Sequence, residues 1–168
     1  MVTNNSENTY IAPTVAREVT APSQPAFYAF LNTEDSNVTG DGSSYKLGSG
    51  NVLLEEFDQN ADFNTNGTFT SPVTGRYMLF GSIKTINAAS ANSQLCKIET
   101  SNRNYIFTQW NPSVLPNASD FMQNSGQVIA DMDAADIATI TCVTSGTTKI
   151  VDIAASAASN LFQGFLLC

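Results

Sequence analysis

Three groups of residues in this chain could do chemistry. Asp131, Asp133 and Asp136 crowd carboxylates into the stretch "DMDAAD". A calcium loop of the helix-loop-helix type needs oxygens at positions 1, 3 and 5, a glycine at 6 and a glutamate at 12. Counted from Asp131, the third aspartate falls at position 6 and position 12 is Cys142, so that loop is excluded. A solvated turn between two strands is the expectation, with a surface calcium site of another kind as the alternative. Glu55, Glu56 and Asp58 in "LLEEFD" form the second group. Hydrolysis of a glycoside needs two carboxyls ~5–10 Å apart across a cleft, one of them raised in pKa by burial. In a chain with only 13% charged residues, a local acidic run reads as a solvated strand end.

The third group is the cysteines, Cys96, Cys142 and Cys168, odd in number and without the close spacing of a zinc site. They read as free thiols, with those in "LCKI" and "TCVT" acting as small buried hydrophobes. The chain contains no histidine, which removes Ser-His and Cys-His catalysis and histidine metal sites. Gly40–Gly50, "GDGSSYKLGSG", lacks the Gly-Lys-Ser/Thr of a phosphate-binding loop and reads as a turn. Trp110 is the single tryptophan; it is expected in the core or an interface, with sugar stacking as the alternative. No catalytic residue, cofactor site or metal site is assigned, and the expectation is a protein that is not an enzyme.

The elements that would carry these residues are strands. The chain has 168 residues, 42% of them hydrophobic, enough to fill one core. Asn, Ser and Thr occupy 52 positions, which favours turns and β-structure over long helices. About ten short apolar runs separated by turn clusters are expected: 26–32, 45–54, 67–70, 77–86, 94–100, 104–110, 127–132, 137–143, 149–153 and 161–167. The spacing suits a sandwich or barrel. Residues 1–24 show no periodic pattern and are read as an extended N-terminal arm; residues 25–168 form the domain.

The formal net charge is −8, and the seven Lys and Arg residues are scattered singly. A nucleic-acid partner needs clustered positive charge, so none is expected. No stretch approaches the ~20 apolar residues of a membrane-spanning helix, and "MVTNNSENTY" lacks the pattern of a signal peptide. Four Asn-x-Ser/Thr sequons, at Asn4, Asn37, Asn66 and Asn117, matter only in a secretory pathway.

In "GTFTSPVTGRYMLF", residues 67–80, Pro72 presets a turn and Gly75 is expected to supply a positive φ, after which Tyr77-Met78-Leu79-Phe80 is apolar on both faces. Such a strand is covered on both sides, either within one sandwich or with a partner on one side. The stretch resembles the central motif of the complement component 1q globular head, a relative of the tumour necrosis factor superfamily, through Gly67, Phe69, Pro72, Gly75 and Tyr77. Two further segments agree in order: "SGQVIADMDAADIATI", in which Ala135 replaces the family's turn glycine, and the closing "LFQGFLL" with Phe162, Gly164, Phe165 and Leu166. "AFYAF", 26–30, serves as the first strand.

The resemblance implies an all-β jelly-roll sandwich of about ten strands, assembled as a homotrimer, with Tyr77, Leu79, Phe162 and Phe165 as the trimer-interface candidates. Size, arm, free cysteines and an uncharged polar surface lead to a virion protein, of a bacteriophage, made in the host cytoplasm. The expected role is a capsid decoration or cement protein anchored through its arm to the major capsid protein or another virion protein. The alternatives are the tip of a short fibre or spike that binds surface polysaccharide, and a secreted complement-type binding head.

Overall fold

The computed structural model describes residues 23–114 and 121–168. Residues 1–22 of the expected arm, the sequons at Asn4 and Asn117, and positions 115–120 of the loop after Trp110 lie outside the described residues.

The described chain is built from β1 (Ala26–Phe30), β2 (Asp35–Thr39), β3 (Ser44–Lys46), β4 (Leu54–Gln59), β5 (Phe63–Asn64), β6 (Thr68–Thr70), β7 (Gly75–Ile86), β8 (Ser93–Thr100), β9 (Asn104–Trp110), β10 (Phe121–Met132), β11 (Ile137–Ser145), β12 (Val151–Ile153) and β13 (Leu161–Leu166). A single 3-10 turn, Pro112–Val114, is the one helical element among the described residues. All strand pairs run antiparallel. In the first sheet the order is β2-β12-β7-β13-β1-β4, with β10 along the other edge of β7. The second sheet has the order β5-β6-β11-β8-β9, with β3 also on β11.

Among the described residues thirteen strands replace the ten expected, and the differences have local causes. The run 45–54 is not one strand: β3 ends at Lys46, and Gly48 takes φ 91° in the turn that follows. β2, β4 and β5 fall within or at the edges of segments rich in Asn, Asp and Thr, whose composition favours turns; neighbouring strands impose the extended form. β10 begins six residues before the expected Gln127, because β7 offers it a continuous partner from Gly75 to Ile86.

The core lies between the sheets. Phe27 stacks between Phe63 and Phe69, at 4.8 and 4.7 Å between ring centroids, and meets the edge of Phe162 at 4.9 Å. Leu79, Ile83, Ile98, Met132 and Ile140 fill the space beyond. Offset and edge-on rings at these separations add about 0.5–1.5 kcal/mol per pair beyond their area burial.

The turn that opened the motif works differently from the sequence expectation. Gly75 does not take a positive φ; it admits a close approach, since a Cβ there would stand 2.7 Å from the carbonyl oxygen of Cys168 and from Leu166 Cδ1. The positive φ belongs to Gly67, at 84°, where a Cβ would fall 1.8 Å from the Leu47 carbonyl oxygen.

Candidate functional site

Alternation along a strand sends neighbouring residues to opposite faces, so the first sheet has an inner and an outer set of side chains. On β7 the inner set includes Tyr77, Leu79 and Ile83, and the outer set Met78, Phe80, Ser82 and Lys84. The registers of β10, β13, β1 and β4 extend the outer set into rows across the sheet. Ile129, Met78, Phe165, Ala26 and Gln59 form one row. Gln127, Phe80, Gln163, Tyr28 and Phe57 form the next, and Ser125, Ser82, Leu161, Phe30 and Leu54 the third.

These three rows contain no charged residue. Charge stands at both ends instead, with Asp131 opposite Arg76 below and Lys84 above, its Nζ 4.4 Å from the Phe121 ring centroid. Several members of the rows are large and open to solvent: Ile129 is 54% exposed, Phe57 48% and Phe165 44%. Tyr28 stacks on Phe57 with centroids 6.2 Å apart, which holds both rings on the surface. A cleft of about 320 Å³ opens among Phe57, Met78, Phe80 and Phe165, floored by Gly164 and edged by the amides of Gln127 and Gln163. Beside it, a hollow of about 500 Å³ is lined by Tyr28, Phe30, Phe57, Glu56, Ala157 and Ala158.

This surface offers mainly apolar area, with a few amides and hydroxyls and the Glu56 carboxylate at the β4 side of the hollow. Its physical capacity is to exclude water against a complementary surface. Gln123 Nε2 donates to Ser82 Oγ at 3.2 Å, so the Ser82 hydroxyl in the upper row already has a partner.

Of the four residues expected at a subunit interface, three are elsewhere. Tyr77, Leu79 and Phe162 are fully buried inside the single chain, with Tyr77 packed on Phe69 at 5.4 Å and its hydroxyl donating to the Val73 carbonyl at 2.7 Å. They have no surface left to give a partner. Phe165 alone of the four lies on the outer face. The residues that sequence reasoning passed over are Met78, Phe80, Ile129, Tyr28, Phe30 and Phe57. Their signal was the apolar outer set of "RYMLF", but one strand's alternation does not say which set faces in.

Asp136, Asp58 and Trp110 have structural employment. Asp136 Oδ2 accepts from the backbone N–H of Asp133 at 2.8 Å and from Asn102 Nδ2 at 2.5 Å, as a turn carboxylate does. In that turn the N–H of Asp136 donates to the Asp133 carbonyl at 3.0 Å, and Ala135 takes φ 74°, the conformation the missing glycine would supply without strain. Asp58 receives the N–H groups of Asp62 and Phe63 at 3.2 and 3.0 Å and so shapes the β4–β5 turn. Burial, and then the neighbouring Asp58 charge, hold the Asp62 carboxyl above its ordinary range. Trp110 Nε1 donates to Asn124 Oδ1 at 3.2 Å and ties β9 to β10. Among the described residues no group of three or more Cys, Asp or Glu side chains could hold a metal ion.

No protein-family model matches the sequence, and no curated protein matches it. Solved structures do resemble the fold. The globular domain of zebrafish complement 1qA superposes with a TM-score of 0.56 at 19% identity, covering 86% of this chain and 98% of that one. The Eiger tumour necrosis factor from S. frugiperda gives 0.58 at 11% identity, over 87% and 94%. Murine APRIL gives 0.55 at 10% identity, over 86% and 99%. The jelly-roll sandwich expected from the three short motifs is therefore the fold of this chain.

Proposed function

We propose that this protein is a non-enzymatic binding and structural module that works as a homotrimer, and that it decorates a virus particle to which residues 1–24 anchor it. The observation that carries the assembly is the uncharged aromatic face of the first sheet, three rows deep and bounded by charge at both ends. A monomer would leave Ile129, Phe57 and Phe165 in water, and contiguous apolar surface of this kind marks a contact. The occupant is a second and third copy of the same chain, as the complement-type resemblance implies.

Light scattering on the purified full-length chain tests the assembly. A mass three times the 17.9 kDa of one chain is expected, and a monomer would end the proposal. Co-sedimentation with virus particles, with and without residues 1–24, then tests the decoration role. A secreted complement-type head is the second reading, favoured by the exposure of two sequon asparagines, Asn37 and Asn66. Expression through a eukaryotic secretory pathway distinguishes it, because glycans at both positions on a still trimeric protein would favour that head.

A further inference from the structure

Cys96 on β8 and Cys142 on β11 are directly opposed in the register of the second sheet. Their Sγ atoms lie 3.1 Å apart, both side chains are fully buried, and neither is bridged. Opposed residues of an antiparallel pair have Cα atoms about 4.5 or 5.5 Å apart. A disulfide spans about 4.4–6.8 Å between Cα atoms. The backbone therefore already stands where a bond between these sulfurs would require it.

We propose that Cys96 and Cys142 are an oxidisable pair that closes to a cross-strand disulfide, a modification site that staples β8 to β11 in the sandwich core. The oxidant is a low-molecular-weight disulfide of the glutathione kind. One cysteine, as thiolate, attacks a sulfur of the oxidant, forming a mixed disulfide and expelling one thiolate. The second cysteine, as thiolate, attacks the protein sulfur of that mixed disulfide and expels the other. The two cysteines together give up two electrons and two protons, and the oxidant leaves as two thiols. Attack needs a thiolate that can be reached, and both sulfurs are closed off by the sheets. The Cys96 thiol is also held above its ordinary pKa by its hydrogen bond to Cys142 and by burial. Exchange is therefore fast while the strands are still docking and slow once the sandwich has closed.

The two cysteines are 46 positions apart in the chain, so the bond removes a large part of the unfolded chain's freedom. The experiment uses the full-length chain carrying Cys168→Ser, which removes the exposed third thiol. The protein is refolded in glutathione buffers stepped from fully reduced to fully oxidised, quenched by alkylation, digested and mapped by mass. The expected result is a linked pair of peptides containing Cys96 and Cys142, two mass units lighter than the reduced pair, rising with oxidant. The melting temperature of the linked form should rise by on the order of 10 °C. Adding Cys96→Ala should abolish the link. Native protein with both thiols still alkylated in fully oxidised buffer, or carrying glutathione on one cysteine without the link, would overturn the pairing. A linked form that melts no higher than the reduced form would overturn the stapling role.

Discussion

Tyr77 and Met78 are neighbours on β7 that serve opposite sides of one sheet. Tyr77 is sealed in the sandwich against Phe69, while Met78 stands outside between Ile129 on β10 and Phe165 on β13. The boundary between the chain's own core and its outer apolar face runs along this strand.

That relationship separates assembly from folding. Phe80→Glu puts a charge into the middle row of the outer face, and we expect a folded monomer by light scattering, with a melting temperature above about 40 °C, as for an ordinary domain. Tyr77→Ala should instead destabilise each chain by roughly 3–5 kcal/mol, as loss of a buried aromatic does. If Phe80→Glu stays trimeric, the outer face is not the contact.

Ala135 is the second test. A residue other than glycine at positive φ costs about 1–2 kcal/mol, and glycine gives back about 0.4–1 kcal/mol through the unfolded chain. Because Ala135 sits at φ 74°, Ala135→Gly should stabilise the fold by a net ~0.5–1 kcal/mol. Denaturant melts would show a higher midpoint with an unchanged slope.

Gly67 predicts the opposite outcome. Its φ of 84° and the 1.8 Å between a notional Cβ and the Leu47 carbonyl oxygen leave no room for a side chain. Gly67→Ala should cost more than about 2 kcal/mol, since both backbone strain and displacement of a neighbouring main chain are required. Urea unfolding of the two glycine-site variants side by side checks both signs.

A buried hydrogen bond gives a pH dependence. Asp35 accepts from the Tyr45 hydroxyl at 2.5 Å and from the Asn51 backbone N–H at 2.8 Å. Burial first, then the hydrogen bond to Asp35, push the Tyr45 phenol well above its ordinary value. A group whose proton is held more tightly in the folded chain contributes stability that is complete below its unfolded pKa of about 10 and is lost as pH rises beyond it. Stability should therefore fall above about pH 10 by up to about 1.4 kcal/mol per pH unit from this group. Tyr45→Phe should make that alkaline slope shallower. At neutral pH it should cost about 1–3 kcal/mol, because Asp35 Oδ2 loses the partner that covers it. Chemical denaturation at pH 7, 10 and 11 measures both effects.

The fold was legible because its signals are local. Pro72 and the glycines around it, the short apolar runs bounded by turn clusters, and the absence of helical periodicity depend on neighbours a few residues away. So did the exclusion of histidine chemistry and of a helix-loop-helix calcium loop. The sequence by itself determined an all-β sandwich without histidine chemistry or a phosphate-loop motif. Tertiary structure alone decided which alternating set of β7 faces inward, that β2 and β5 are strands at all, and that Cys96 meets Cys142. Each of these is a matter of register between segments tens of residues apart, set by which strands pair across the sheet, and a one-residue change of register would turn every side chain to the other face.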